Sequence, residues 1–428
     1  MKILITAAMA LALAPSLQAQ DSFDKALSNP REQTNPSAGL PPKASAPSTG
    51  FQDTDQAGKP LPQKEWTIMV FMNGKNNLQT DGINDLNEME QVGSGKDVNV
   101  LVEMGGMDNK MYRYYIRKDA DPAKVTSPAM AKATGVNMGD PASIVDFVLW
   151  AQKQFPAKKY MLIGWDHGSG WLKGNPVKPA GKGFSDDWIS KNNISTPQLG
   201  WLLKEIEAKG GRVDLLAFDA CLMQMAEVLY EIKGTKVAYM AASEEIEPGA
   251  GYAYHQWLAP LAANPKMDAV TLGKTVARKY LDTYPDGDRG TGLTYSVTDV
   301  SKAGALASAM NAFAEAAIAS GEKAALVKAR DEATYYQFDD NKDLRHFAML
   351  TAGYAKNGAL KSAAQALADL LAQGKGPVVV SGVSKNNPTK SYGLAVYLPS
   401  YAFSRDYLEL KLASSTRWAQ MLAFMLKP

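Results

Sequence analysis

A histidine and the single cysteine of the chain each follow an apolar run that is typical of a buried strand. His167 lies in YMLIGWDHGSGW, and Cys221 lies in LLAFDACLM. A cysteine thiolate is a strong nucleophile, and an imidazole beside it lowers the thiol pKa or takes its proton. Side chains that follow neighbouring parallel strands emerge at the same edge of a sheet. Should the predicted strands at 160–165 and 213–218 be such neighbours, His167 and Cys221 form a dyad for nucleophilic catalysis.

The glycine after the histidine and the segment after the cysteine add to this chemistry. Gly168 lets the backbone approach closely, so its N–H and the N–H of Cys221 are predicted to hold a developing oxyanion. A helical pattern over 222–231 starts next to Cys221, and the positive end of that helix is predicted to lower the pKa of the thiol. Two alternatives stay open, because a tight turn also explains HGSG and a buried, inert thiol also explains the cysteine.

The elements that must position these residues alternate in type along the chain. Strands are predicted at 66–72, 98–106, 111–118, 160–165, 213–218 and 237–243, and helices at 80–91, 142–154, 195–211 and 222–231. Most of the strands are almost continuously apolar, which is typical of a parallel sheet that is buried on both faces. We therefore expect an α/β fold with a mostly parallel central sheet and helices on both of its faces.

The last part of the chain, 301–428, is predicted to be a smaller helical subdomain with closing strands, and 65–300 the catalytic core. Helices are predicted at 301–319, 343–355 and 359–373, and strands in GLTYSVTDV, GPVVVSG and YGLAVYL. The late strands either complete the first sheet or cover its edge, and the sequence does not decide between these arrangements.

The N-terminus has the pattern of a secretory signal. Residues 1–19 combine Lys2, an apolar run that is too short to favour a membrane span, and a small-residue cleavage site. Residues 20–64 are rich in Pro, Ser, Gln and Gly, which is typical of a disordered leader or propeptide. The mature protein is therefore expected in the periplasm or outside a bacterial cell, without a membrane span.

Composition limits the classes of partner. The 428 residues are 46% hydrophobic and 21% charged with a formal charge of +2, as in soluble globular proteins. So small a charge, without a basic block, argues against nucleic acid. One cysteine excludes an intramolecular disulfide, and the HExxH pattern of zinc peptidases does not occur. We expect a monomer that requires no cofactor and no metal.

Four segments together resemble the clostripain family of cysteine peptidases: YMLIGWDHGSGW, GFSDDWISKNNISTPQLGWLLKE, VDLLAFDACLMQMAEVLYEI and AASEEIEPGAGYAY. The resemblance extends from about Trp66 to about residue 260, and weakly to the C-terminus. It departs at Lys75, where the family pattern has an acidic residue. Because that family is grouped with the caspases, the resemblance implies a caspase-like fold and a His167/Cys221 dyad.

The resemblance also implies an endopeptidase that cleaves after Arg or Lys through a thioester. Asp219 stands two residues before the cysteine, so in an extended chain both side chains point to the same face. A carboxylate there can pair with a basic side chain at P1, which is the substrate residue before the scissile bond. Capping of the following helix is the other interpretation of Asp219. Ser243 and Glu244, at the end of the next strand, are predicted to form another wall of the P1 pocket.

Members of the clostripain family can be activated by self-cleavage between the histidine and the cysteine, so the resemblance implies such a cut here. Lys182 is the predicted cleavage site. The alternative is that this segment is an uncleaved surface loop. The resemblance also allows a calcium ion, for which the acidic loops at 284–292 and 338–343 are candidates, although neither matches an EF-hand. The alternative function is a non-catalytic scaffold of the same fold that binds a protein partner. Retention of the histidine, the cysteine and the glycine and aspartate beside them favours the enzyme.

Overall fold

The computed structural model describes residues 62–121, 123–171, 183–284, 292–374, 377–385 and 391–427. The predicted signal and almost all of the leader, residues 1–61, lie outside the described residues. The strands are β1 (Lys64–Asn73), β2 (Val98–Gly105), β3 (Lys110–Tyr115), β4 (Ala129–Thr134), β5 (Ala157–Trp165), β6 (Phe184–Asp187), β7 (Asn192–Ile194), β8 (Leu215–Asp219), β9 (Tyr239–Ala242), β10 (Leu293–Asp299), β11 (Asn341–Asp343), β12 (Val379–Lys385) and β13 (Ala395–Tyr397). The α-helices are α1 (Gln79–Glu90), α2 (Pro141–Gln154), α3 (Thr196–Ala208), α4 (Ala226–Glu231), α5 (Tyr254–Ala263), α6 (Ala269–Thr283), α7 (Ala303–Ser320), α8 (Lys323–Glu332), α9 (Leu344–Tyr354), α10 (Gly358–Leu370), α11 (Lys411–Ser415) and α12 (Trp418–Leu426).

A nine-stranded sheet forms the centre of the molecule, in the order β12-β10-β9-β8-β5-β1-β2-β3-β4. The five strands from β9 to β2 in this order are parallel to their neighbours. The remaining strands pair antiparallel at the two sides of this parallel centre. The expected mostly parallel central sheet is confirmed.

Both faces of the sheet are covered, which explains why its central strands are so continuously apolar. Side chains alternate along β1, so Ile68 and Val70 enter one buried cluster with residues of α1, α5 and α6. Met69 and Phe71 enter the other cluster, which includes residues of α2, α3 and α4. A polar side chain on either face of this strand would be buried away from water, and the strand is therefore apolar almost throughout.

The last part of the chain extends both the sheet and one of its covering layers. Residues of α7, α9 and α12 belong to the same buried cluster as α2 and α3. β12 pairs antiparallel with β10 and so completes the main sheet, whereas β13 pairs with β11 in a separate two-stranded sheet. Of the late strands, β12 thus completes the main sheet and β13 does not belong to it, and the division at residue 300 stays a prediction.

In the part of the chain that the structure describes, no helix has the length and apolar composition that a membrane crossing requires.

Candidate active site

The ends of two neighbouring strands bring the histidine and the cysteine to one edge of the sheet. β5 and β8 are parallel neighbours, and beyond β5 the N–H of Asp166 donates to the carbonyl oxygen of Asp219 at 3.3 Å. A Cβ atom on Gly168 would lie 2.2 Å from the carbonyl oxygen of Cys221, so the backbones of these two residues are in direct contact. The expectation that the two strands are parallel neighbours is confirmed, and it places His167 beside Cys221 along the edge. Only glycine fits at position 168 without moving the cysteine.

The imidazole of His167 is held by the loop that follows β1. Its Nε2 lies 2.9 Å from Oδ1 of Asn77, while its backbone N–H donates to the carboxylate of Asp166 at 2.6 Å. Asp166 is buried and also accepts from Nδ2 of Asn76 and from the N–H of Asp186. The carboxylate of Asp166 therefore fixes the backbone of the strand end, and the side chain on the imidazole nitrogen is that of Asn77.

The segment after the cysteine is not helical, which corrects the prediction of a helix over 222–231. The helix α4 begins only at Ala226, because Leu222 has a φ of +66° and its N–H donates to the carbonyl oxygen of Glu245. A helix needs negative φ and free N–H groups at its first turn. Cys221 thus lies five residues before the first residue of the helix, and its sulfur accepts the N–H of Glu247 at 3.2 Å. Activation of the thiol by the helix end is wrong for this structure.

The thiol is also in its protonated form. Burial raises the pKa of Cys221 to about 12, and the negative carboxyl of Glu247 adds to the rise. A thiolate therefore does not form by itself at neutral pH, and a base such as His167 must take the proton when the substrate is in place.

Two backbone N–H groups at the strand ends have no acceptor on any other residue that the structure describes. Within the described ranges, neither the N–H of Gly168 nor that of Cys221 donates to another residue. Both belong to the backbones that touch at this edge. They are suited to a substrate oxygen that becomes negative during reaction.

Asp219 lies below the cysteine, under the chain that runs from 247 to 254. Its carboxylate accepts from the hydroxyl of Tyr254 at 2.9 Å and from the N–H of Tyr252 at 3.4 Å. A Cβ atom on Gly251 would lie 2.5 Å from the carboxylate, so the backbone closes directly over it. The side chain does not cap α4, which excludes the second interpretation of this residue. The carboxyl of Glu247 lies close enough to that of Asp219 for each to shift the pKa of the other.

Two buried carboxyls in contact share negative charge that no described Lys or Arg side chain neutralises through an ion pair. Burial raises the pKa of Asp219 to about 6, and Glu88 contributes further negative charge. Burial also raises the pKa of Glu247 well above its ordinary value, with the charge of Asp219 next in effect. Such a pair holds a proton near neutral pH and releases it to bind a cation.

Ser243 and Glu244 lie elsewhere than predicted. Both are fully buried beside β10, where the hydroxyl of Ser243 lies 3.1 Å from that of Thr294 and the N–H of Glu244 donates to the same oxygen at 3.1 Å. The chain turns inward after β9, so neither side chain forms a wall of a pocket beside Cys221. This turn contacts the cysteine segment through its backbone: the N–H of Glu247 donates to the sulfur of Cys221, and the carbonyl oxygens of Glu245 and Ser243 accept the N–H groups of Leu222 and Gln224.

Lys75 is buried and contacts the segment between the histidine and the cysteine. Its ammonium lies 3.7 Å from the carboxylate of Asp187 and donates to Oδ1 of Asn109 at 2.9 Å. Burial lowers the pKa of Lys75, and Asp187 opposes that effect. The departure of Lys75 from the family pattern is therefore accommodated by a carboxylate of β6, away from the dyad.

Two carboxylates of the described acidic loop at 338–343 hold backbone N–H groups of the fold. Asp343 accepts a backbone N–H of the first turn of α9, and Asp340 accepts a backbone N–H of the chain after β13. Among the described residues no group of three or more His, Cys, Asp or Glu side chains is arranged to hold a metal ion. The other acidic loop falls largely on 285–291, outside the described residues.

The predicted autolysis site, Lys182, lies outside the described residues, which omit 172–182. Both flanks of this segment are anchored in the core. The ring of Trp171 packs against those of Tyr397 and Tyr407, and the N–H of Gly183 donates to the hydroxyl of Ser169 at 3.0 Å.

Asn77 and Glu247 were missed by sequence reasoning. A signal for Asn77 was present, because it follows β1 and β1 is the other neighbour of β5 in the sheet. No local signal marks Glu247, since its contact with the cysteine depends on how a distant turn folds back.

Comparison with known proteins gives results of three kinds. A family model described as the clostripain family matches residues 70–420. Clostripain from Hathewaya histolytica is 29% identical over 229 residues, which cover 47% of this chain and 43% of that protein, less than half of its length.

Two solved structures are similar in fold. A secreted C11 cysteine protease from Bacteroides thetaiotaomicron, in complex with an irreversible peptide inhibitor, superposes with a TM-score of 0.61 at 21% identity, covering 84% of this chain and 99% of its own. An inactive zymogen C11 protease from Parabacteroides distasonis superposes with a TM-score of 0.60 at 17% identity, and the match covers 82% of this chain and 98% of that one. At these identities the likeness concerns the fold.

Proposed function

The chain belongs to the clostripain family of cysteine peptidases, and from this premise we propose that it is an exported endopeptidase that cleaves peptide bonds after Lys or Arg. The observation that supports the proposal is the contact of two strand ends, where Gly168, the residue after His167, packs on the backbone of Cys221. The caspase-like fold around this edge is common to C11 proteases.

The reaction begins when the S–H bond of Cys221 breaks and His167 accepts the proton. The sulfur bonds to the carbonyl carbon of the P1 residue, and the N–H groups of Gly168 and Cys221 hold the negative oxygen. As the C–N bond breaks, the imidazolium gives its proton to the leaving amine. Water then gives a proton to His167 and attacks the thioester; the C–S bond breaks and the sulfur takes that proton back. Thiol, imidazole and amides supply every step, so we propose no cofactor.

The P1 preference rests on the carboxyl pair Asp219 and Glu247. Asp219 is buried beside the nucleophile, and Glu247 is half-buried with both carboxylate oxygens shielded from solvent. A Lys or Arg side chain would supply the cation that the pair lacks. The backbone at Gly251 covers Asp219 in this structure, so the 247–254 segment must move outward when the P1 side chain enters.

Binding of a basic P1 side chain also activates the thiol. The charge of Glu247 is one cause of the raised pKa of Cys221. A cation on the carboxyl pair removes part of that cause, so the proton leaves the sulfur more easily once the correct substrate is bound. The enzyme is thereby protected from oxidation and from reaction with wrong substrates while it is empty.

We propose that the protein cleaves itself after Lys182. This residue belongs to the segment 172–182, which connects Trp171 to Gly183. The purified protein would yield two chains on a denaturing gel, with mass spectrometry giving the cut. Lys182→Ala is expected to stay intact, whereas Lys178→Ala serves as a matched control, since Lys178 precedes a proline. An unchanged cut in Lys182→Ala overturns this site.

Export is proposed from residues 1–19. The protein expressed in a Gram-negative host would appear in the periplasmic fraction or the medium, shortened by about the length of the signal. Retention of the full-length chain in the cytoplasm overturns it.

The test of the function compares the protein with Cys221→Ala under reducing conditions. Each is given fluorogenic peptides that differ only at P1, with Arg, Lys, Asp or Leu, with calcium and with a chelator. Cleavage after Arg or Lys by the native protein alone supports the proposal. Cleavage after Asp or Leu would support peptidase activity but refute the assignment of Asp219 to the P1 pocket. No turnover of any peptide would leave the scaffold function.

A further inference from the structure

The loop after β1 reaches the catalytic edge from the side opposite the cysteine. β5 lies between β8 and β1 in the sheet, so the end of β5 is flanked by two loops. One loop carries Cys221. The other carries Asn77, whose Oδ1 lies 2.9 Å from Nε2 of His167.

Two hydrogen bonds from backbone N–H groups to side chains hold this loop in place. Oδ1 of Asn73 accepts the N–H of Lys75 at 3.0 Å, and Oδ1 of Asn76 accepts the N–H of Leu78 at 2.9 Å. These bonds fix the backbone on both sides of Asn77. The loop is therefore shaped before any substrate arrives.

The same loop is tied to the strand end that carries the histidine. Nδ2 of Asn76 donates to the buried carboxylate of Asp166 at 2.6 Å, and Asp166 in turn accepts the backbone N–H of His167. Backbone and ring of the histidine are thus held by neighbouring residues of one loop, Asn76 and Asn77.

We propose that Asn77 is a positioning residue that holds His167 as the Nε2–H tautomer and directs Nδ1 to the Cys221 thiol. An amide oxygen accepts but does not donate, so the imidazole nitrogen that faces it carries the hydrogen. Nδ1 is then the atom that takes the thiol proton and returns it to the leaving amine. The proposal rests on the proposed peptidase function for its catalytic consequence, whereas the tautomer exists with or without turnover.

Asn77 also sets the charge balance of the imidazole. Among the described residues, the carboxylate of Asp186 acts on the ring through space, and the buried carboxylate of Asp166 accepts the backbone N–H of His167. A neutral amide oxygen stabilises the imidazolium by one hydrogen bond without adding a full negative charge. The imidazolium can therefore still release its proton to the amine.

Kinetics of three variants test this role. Asn77→Ala is expected to lower kcat roughly 10- to 100-fold with little change in KM, which is the worth of one hydrogen bond to a charged group. Asn77→Asp is expected to retain the geometry and to move the acid limb of the kcat/KM profile upward by about one pH unit, because a carboxylate favours the imidazolium and His167 must be neutral to take the thiol proton. Asn77→Gln is expected to fall between alanine and the native residue. Loss of activity in all three with an unmoved pH profile overturns the proposal.

Asn357→Ala is the matched control. Asn357 caps α10 far from the site and accepts two backbone N–H groups with Oδ1. This variant is expected to lower the melting temperature while leaving kcat, KM and the pH profile as in the native protein. A pH profile that moves in the control as well would show that stability, and not the imidazole, is being measured.

A spectroscopic readout separates failure of this proposal from failure of the proposed function. The chain has three histidines, so ¹⁵N–¹H correlation through two bonds resolves the tautomer of each ring. His167, assigned through His167→Gln, is expected as Nε2–H in the native protein and as a mixture in Asn77→Ala. An Nδ1–H tautomer in the native protein overturns the role of Asn77. An Nε2–H tautomer in a protein without any peptidase activity would support the positioning role of Asn77 and refute the proposed peptidase function.

Discussion

Replacement of Asp219 by asparagine is expected to stabilise the protein at neutral pH while it destroys cleavage after Lys and Arg. The amide has nearly the shape of the carboxyl. Its oxygen can accept from Tyr254 and Tyr252 as before, and its NH₂ can donate to Glu247. The substitution therefore removes one buried charge and few contacts.

The magnitude follows from the pKa. A rise from 3.8 to about 6 is a change of roughly 2, which corresponds to about 3 kcal/mol at about 1.4 kcal/mol per unit. Because the folded pKa of Asp219 is the higher one, this stability is fully present below about pH 4 and is lost as pH rises through about 6. Asp219→Asn should match the native protein at pH 4 and exceed it by up to about 3 kcal/mol at pH 7.5.

Urea unfolding at pH 4 and pH 7.5 measures this difference, with Asp369→Asn on the exposed side of α10 as the control that should show no such gain. Peptides with Arg and with Ala at P1 measure the catalytic cost. Loss of a buried carboxylate opposite a basic side chain should lower kcat/KM for Arg by roughly 10²- to 10³-fold and leave the Ala substrate nearly unchanged. A stability gain that is equal at both pH values would refute the origin in buried charge. Unchanged cleavage after Arg would refute the place of Asp219 in the P1 pocket.

Four further predictions test the site. Cys221→Ala should abolish turnover and leave the melting temperature close to the native value, as followed by circular dichroism. Alkylation of Cys221 by iodoacetamide should be faster with agmatine than with butylamine, since a P1-like guanidinium on the carboxyl pair eases loss of the thiol proton; equal rates would contradict the coupling. Gly168→Ala should lose activity and roughly 1 to 3 kcal/mol of stability in urea, because its Cβ meets the carbonyl of Cys221. Lys75→Met should cost about 3 to 5 kcal/mol by leaving Asp187 buried without its cation, and adding Asp187→Asn should recover part of that loss.

The strands could be predicted well from the sequence because their signal is local. Met69 and Val70 are both apolar since the two faces of β1 are both covered, and such a run is visible without any knowledge of its neighbours. The parallel pairing of β5 with β8 followed from the alternation with helices. The position of His167 beside Cys221 then required only that both strands end at one edge.

The failures concern contacts between segments that are distant in sequence. The pattern LMQM after Cys221 has helical spacing, yet the N–H of Leu222 is taken by Glu245 and its φ is positive. Ser243 and Glu244 point inward because β10, more than fifty residues later, lies beside them. The periodicity of the local sequence does not show that Glu245 contacts Leu222, or that β10 lies beside Ser243 and Glu244.

The order of strands has a consequence for how the protein can be divided. All strands up to β5 lie on one side of the junction between β5 and β8, and the main-sheet strands from β8 onward lie on the other. A break anywhere in 172–182 therefore separates the chain into two halves, each of which contains a contiguous part of the sheet and one member of the proposed dyad. Expressed as two polypeptides, they would behave as a split enzyme. Each half would bear an open sheet edge that only the other covers, and activity would report that both are present.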